Sequence, residues 1–215
     1  MGIIEIFMIY VIYLLVTIFA IFIIWRIFSY RYSLPCPTWL AWMIEIDNPF
    51  VKIHRANSIV KNATLQPGMQ VLDAGCGPGR VTIPLSKAVG ENGAVTAMDI
   101  QPGMLERVEK KAKTENITNI TFLQAGLGEN KLEKNAFDRI ILVTVLGEIP
   151  GKESAMQEIF SALKTNGILS ITETIFDPPH YQSMGTVLKL AKKIGFQEKA
   201  CYGNFIAYTI NFEKN

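Results

Sequence analysis

With 215 residues and about half of its side chains apolar, the chain is long enough for one domain with a sizeable core and one additional segment. A formal charge of +2, with no basic run interleaved with aromatics, excludes nucleic acid as the expected partner. Cys36, Cys76 and Cys201 are widely scattered, odd in number and without metal-ligand spacing, so no disulfide framework and no metal are expected and a reducing compartment is the default.

The first predicted element is apolar on every face. From Ile6 to Trp25 no residue is charged and only Thr17 is clearly polar. At 1.5 Å per residue such a helix spans roughly 30 Å, the thickness of a bilayer core. The reading is a transmembrane anchor over residues 1–29. A cleaved signal peptide would carry a basic start, whereas Glu5 is the only side-chain charge before the span, and Ile6 stands where a myristoylation motif needs Ser or Thr. Arg26 and Arg31, then Lys52 and Arg55, follow the span and no Lys or Arg precedes it, so the expected topology is single-pass, with the N-terminus outside and the domain in the cytoplasm.

Residues 30–62 read as interfacial or lid helices. Tyr30, Tyr32, Trp39 and Trp42 cluster as aromatics do at lipid headgroups, Pro35 and Pro37 break the first helix, and Trp39 to Ile46 forms a short apolar helix closed by Asp47, Asn48 and Pro49. A further helix is expected over Phe50 to Lys61, then a turn at Pro67-Gly68.

From residue 63 onward the pattern alternates strand and helix. Val71 and Leu72 end a buried strand that runs into Asp73-Ala-Gly75-Cys76-Gly77-Pro-Gly79-Arg80, and a helix begins at Val81. Glycines at alternate positions permit a tight turn and close backbone approach to a ligand. The dinucleotide fingerprint, G-x-G-x-x-G, has a different rhythm. Cys76, inside this loop, reads as a small packing residue rather than a nucleophile, and it counts among the residues of the loop that would line the ligand. A second strand, Ala94 to Met98, ends on Asp99, followed by Ile100, Gln101 and Pro102. An acid there suits two ribose hydroxyls, and it also suits a cap for the helix near Pro102. Met104 to Lys113 is helical, Ile120 to Gln124 and Asp138 to Val145 are strands, and Glu153 to Leu163 is a helix. Thr165-Asn166-Gly167 turns into the strand Ile168 to Glu173, and Phe196 to Tyr202 with Phe205 to Phe212 form a closing hairpin.

The acidic residue followed by G-x-G-x-G, the acid ending the second strand and the terminal hairpin together resemble the class I S-adenosylmethionine (SAM) dependent methyltransferases, closest in style to the ubiquinone/menaquinone-type and small bacterial phospholipid-type enzymes. The resemblance covers roughly residues 52–214. It implies an α/β fold with a Rossmann-like seven-stranded sheet over residues 63–215, and SAM as cofactor. It also implies that Asp73, Gly75, Gly77 and Gly79 line the methionine and ribose, that Asp99 with its neighbour Gln101 serves the ribose, and that Ile100 flanks the adenine. One departure stands out: many relatives carry an Asp after the third strand, where this chain has Ala125-Gly126-Leu127-Gly128.

Chemistry is expected beyond the carboxyl ends of strands one, four and five. Glu148, Glu173, Asp177, His180 and Tyr181 fall there. His180 is the first choice for a general base, with an exposed loop residue as the alternative. Glu148 suits a cationic headgroup or the start of a helix, and Tyr181 a cation–π face. The expected function is methyl transfer to a membrane lipid or lipid-soluble acceptor, a phospholipid amine or an isoprenoid quinone. A non-catalytic SAM-binding membrane protein and a tethered enzyme with a soluble or protein acceptor are the rivals.

Overall fold

The computed structural model describes residues 2–32, 36–178 and 180–215, without the side chains of Ile3, Arg26 and residues 29–32. The expectations placed on Arg26, Tyr30, Arg31, Tyr32 and Pro35 therefore lie outside the described side chains. Two compact units divide the chain, one up to residue 35 and the other from Cys36 to Asn215.

The first unit is helix α1 (Ile3–Tyr32), longer than the span expected. Its window Ile4–Trp25 has a mean hydropathy of 2.9 and no buried residue. Glu5, near its start, accepts from the Gly2 N–H at 2.8 Å, and the one clearly polar side chain beyond it is satisfied within the helix, since the Thr17 hydroxyl donates to the Tyr13 carbonyl at 2.8 Å.

The second unit opens with a 3-10 turn at Thr38–Leu40 and helix α2 (Ala41–Glu45). The helix expected over Phe50 to Lys61 is two pieces, a 3-10 turn at Lys52–His54 and α3 (Ala56–Asn62). Between them Arg55 is extended, and the vacated end of α3 is capped from a distance: the Ala56 N–H donates to Asp47 Oδ1 at 3.0 Å.

The α/β part then runs β1 (Gln70–Ala74), α4 (Thr82–Val89), β2 (Ala94–Asp99), α5 (Pro102–Thr114), β3 (Ile120–Gln124), β4 (Phe137–Val143), α6 (Lys152–Ala162), β5 (Leu163–Thr174), α7 (Met184–Ile194), β6 (Gln197–Gly203) and β7 (Ala207–Glu213). The seven strands form one sheet in the order β3-β2-β1-β4-β5-β7-β6. β1 to β5 are parallel and β7 is antiparallel to both β5 and β6, which is the mixed sheet with a terminal hairpin that the sequence predicts. Strand order reverses between β1 and β4, so a crevice opens beyond their carboxyl ends.

Continuous burial of residues 71–74 in β1 and 167–174 in β5 marks them as central strands covered on both faces. One core packs β4, β5 and β7 against α6 and α7; another packs α3 and α4 against β1 and β2. Three departures from the sequence reading have local causes. β4 stops at Val143, because Thr144 takes φ +55. The turn Thr165-Asn166-Gly167 lies inside β5, as an irregularity in its pairing with β4, with the Asn166 N–H donating to the Lys214 carbonyl. Helix α7 has no counterpart in the sequence reading, although Ser183 caps it by accepting from the Thr186 N–H at 3.2 Å and Gly195 ends it in the left-handed region.

Candidate active site

β1 delivers its chain end into the glycine loop. The N–H groups of Gly75 and Cys76 both donate to the Met98 carbonyl, at 2.8 and 2.9 Å, which pins the loop to the end of β2. Gly75 has φ +73, and a Cβ there would drive into the Val145 side chain, so the loop passes where only glycine fits. Gly77, at φ +51, donates its N–H to Asp99 Oδ2 at 2.9 Å. The Gln101 N–H donates to Asp99 Oδ1 at 2.9 Å, so both carboxylate oxygens hold backbone and the group retains accepting capacity.

Burial raises the Asp99 pKa, opposed by these backbone donors. Asp73 is buried and accepts from the Thr82 hydroxyl at 2.6 Å, which fixes the start of α4 against β1. Its burial pushes it up to about 6. Cys76 is buried too, and burial pushes its thiol far above the range of a reactive cysteine, as expected of a packing residue. Ile100 is half exposed and faces the loop after β3, where its Cγ2 lies 3.3 Å from the position a Gly126 Cβ would take.

That loop holds a residue the sequence reading missed. The Glu129 carboxylate comes to 2.8 Å from the same Cβ position at Gly126, so an acid stands beside Ile100 in the loop after β3. The loop itself is gathered by buried Glu158, whose carboxylate accepts from the N–H groups of Gly128, Lys131 and Leu132 at 2.5, 2.6 and 3.0 Å.

Beyond β4 and β5 the structure brings together three residues from two distant segments. His180 Nδ1 lies 3.0 Å from Asp177 Oδ2 and 3.8 Å from Glu148 Oε1. His180 is buried, so its ring is not that of an exposed loop residue. The donor atoms of the three lie within 4.8 Å of one another, close enough to share a proton or one divalent cation. The two segments interlock at Gly147, where a Cβ would run into the His180 carbonyl. Burial, then the charges of Asp177 and Asp99, push Glu148 up to about 7 against the pull of His180. Glu173, at the end of β5, is 1 % exposed, and its Oε1 has no hydrogen-bond partner among the described residues. Its burial and the charges of Asp177 and Glu148 push it up to about 8, although the Gln182 N–H donates to it. The Tyr181 hydroxyl donates to the Phe205 carbonyl at 3.0 Å and its ring packs edge-on to Tyr208.

The segment before β1 spans both halves of the site. Gln101 Nε2 donates to the Cys36 carbonyl at 2.9 Å, Lys111 pairs with Glu45, and Arg80 Nη1 donates to Asp47 Oδ1 and to the His54 carbonyl, each at 2.7 Å. Burial and the charges of Glu148 and Asp177 push the Cys36 thiol up to about 11, which places this segment within the field of the second cluster as well. The one arginine of the loop, Arg80, is already paired with Asp47. A glycine cradle with a half-satisfied acid suits a nucleoside attached to a compact, phosphate-free tail.

Residues 65–202 match the profile of the methyltransferase domain, so the chain belongs to that family. Its cofactor is S-adenosylmethionine, which the glycine cradle and Asp99 fit. Over 116 residues, 54 % of this chain and 47 % of the relative, it is 35 % identical to a demethylmenaquinone methyltransferase of Staphylococcus aureus. Over 126 residues, 58 % of this chain and 49 % of the relative, it is 32 % identical to a ubiquinone/menaquinone biosynthesis C-methyltransferase of Shewanella pealeana. The chain thus spans about half the length of the curated relatives it matches. Among solved structures, a SAM-dependent methyltransferase from Aquifex aeolicus superposes with a TM-score of 0.74 at 21 % identity, covering 84 % of this chain and all of that one, which establishes the fold.

Proposed function

We propose that the protein is a membrane-anchored methyltransferase that moves the methyl group of SAM to a lipid-soluble acceptor of the quinone type. The observation that carries this reading is the buried His180, oriented by Asp177 and flanked by Glu148, at the carboxyl ends of β4 and β5, in the electrostatic field shared with Asp99. The named activities of the two curated relatives favour a quinone ring over a phospholipid amine. The apolar span of α1 and the exposed aromatics Trp39 and Trp42 support a permanent place at the bilayer, and the Lys and Arg residues that follow the span favour the cytoplasmic side for the domain.

When bound, SAM supplies an electrophilic methyl group on a sulfonium, so the protein has to hold, orient and shield the reactants. Asp99 would hold the ribose hydroxyls, Ile100 would flank the adenine, and Glu129 would be the acid available to its amino group. A reduced quinone ring becomes a carbon nucleophile once a phenolic proton leaves. His180 takes that proton at Nε2 while Nδ1 donates to Asp177, the arrangement of a carboxylate-oriented general base. Glu148 shares the positive charge that forms on the imidazole, and Tyr181 braces the loop against the terminal hairpin. No step calls on a metal.

The test is His180→Ala. The expected outcome is a fall in turnover of about 10²–10⁴-fold with SAM affinity unchanged, and a wild-type rate insensitive to a chelator. Unchanged turnover contradicts the assignment, and a chelator-sensitive rate reassigns the trio as metal ligands.

A further inference from the structure

The surface around the mouth of the site carries two apolar patches, and only one of them follows from the segment after the span. The first is the pre-strand segment, where Trp39, Trp42 and Ile46 are 70, 58 and 66 % exposed. The second comes from the far end of the chain. β5 and β7 are antiparallel, with Thr174 opposite Ala207, and the Ile175 N–H donates to the Ile206 carbonyl at 3.0 Å. The hairpin tip therefore stands at the carboxyl end of the parallel strands, beside the loop that leaves β5. Phe176 is 59 % and Phe205 73 % exposed there. Phe205 is also tied to the reactive cluster, because its carbonyl accepts from Tyr181, the residue after His180.

The two patches flank the crevice from opposite sides. The first is bound to the ends of β1 and β2 through Asp47, Glu45 and the Cys36 carbonyl, and the second to the end of β5; the strand order puts the β1/β4 crevice between them. Large aromatic side chains held open to water at a hairpin tip, where packing does not require them, mark a surface with an apolar partner. Exposed Trp followed in the chain by Lys52 and Arg55, as at the first patch, is the composition of a bilayer interface.

We infer that the hairpin tip with Phe176, Phe205 and Ile206 is a second bilayer contact, which together with the Trp39–Trp42 segment seats the mouth of the site on the lipid surface so that the acceptor enters between the two patches without crossing water. This rests on the membrane reading above and extends it to a surface that the anchor does not dictate. Both patches then contribute apolar area to the bilayer, and the crevice opens where a quinone ring travels with its isoprenoid tail still in lipid.

The experiment places an environment-sensitive fluorophore at Phe205→Cys, at Phe176→Cys and, as a control at the opposite end of the sheet, at Glu91→Cys, each in a full-length chain with Cys201→Ser. The proteins are reconstituted in phosphatidylcholine and phosphatidylglycerol vesicles carrying headgroup-depth nitroxide lipids, and flotation is recorded in the same samples. The expected result is severalfold stronger quenching by lipid at 205 and 176 than at 91, with aqueous iodide showing the reverse order. Protein that floats with the vesicles while positions 205 and 176 respond as 91 does overturns this inference and leaves the anchor reading standing. Protein that does not float overturns both.

Discussion

Both oxygens of Asp99 accept backbone N–H groups, so the carboxylate shapes the loop at Gly77 and Gln101 and keeps accepting capacity for hydroxyl donors. Asp99→Ala should weaken SAM binding by roughly 10- to 100-fold, the equivalent of about 1.5–3 kcal/mol for a hydrogen bond to a charged group, as read by titration calorimetry. Unchanged affinity would refute the ribose assignment. Glu173 tests the energetics of the second cluster. Its pKa is raised in the folded state to about 8 from an ordinary 4.5, so the folded protein holds a proton that the unfolded chain has released. The proton number is then larger in the folded state between those values, and stability falls as pH rises from about 4.5 to 8. Glu173→Gln, which cannot ionise, should flatten that slope. It should raise Tm at pH 8 by several degrees, about 2 kcal/mol, and change it little at pH 4. An identical pH profile for the two proteins in thermal melts contradicts the assignment. Asp99 was legible in the sequence because an acid ending a strand before a Pro-initiated helix has few other readings. The partnership of His180 with Glu148 and Asp177 was legible only as a set of residue types, since Glu148 belongs to a different strand end and no local pattern reports the contact.

At the scale of elements, the site depends on two interlocked turns. The 3-10 turn Leu146–Glu148 and the loop that carries His180 touch at Gly147, with no room for a methyl group. Gly147→Ala should displace the His180 loop. Turnover is expected to fall by at least tenfold, with an unfolding cost of about 1–3 kcal/mol for overpacking, while SAM affinity is nearly retained. Equal turnover in the variant counts against the interlock. The sequence announced this glycine with nothing but its identity, because its requirement comes from a backbone more than thirty residues downstream. The strand at β4 shows the same limit: an apolar run continues to Val145, but Thr144 turns into the left-handed region and ends the strand two residues earlier. The helix expected from Phe50 to Lys61 divides because Asp47, outside it, caps a later start. In contrast, the alternation of strands and helices and the closing hairpin were legible, and the family resemblance supplied the seven-stranded sheet, while the strand order itself came from the structure. Helix α7 was legible in principle from Ser183, Gly195 and the i, i+4 pair Val187 and Ala191, all of which the structure uses.

At the scale of the molecule, the account joins an apolar span, a bridging segment and a SAM domain. On the proposed membrane reading the apolar span adds no catalytic group, and its effect is to confine the site to the plane where the acceptor diffuses. Removing residues 1–32 should leave SAM affinity unchanged. Turnover should drop by an order of magnitude or more on acceptors embedded in vesicles and far less on acceptors dispersed in detergent. Equal turnover on both would remove the proximity argument. The span and the direction of charge asymmetry were plain in the sequence, whereas the acceptor class was not, because N-, O- and C-methylation ask the same things of the cofactor half of the site. The central claim is methyl transfer to a lipid. Its most direct test is to incubate the full-length protein in bilayers of native lipid extract with methyl-labelled SAM and to separate the organic phase. The account predicts label in one quinone-type lipid species, lost in His180→Ala; SAM binding without label in any lipid would contradict it.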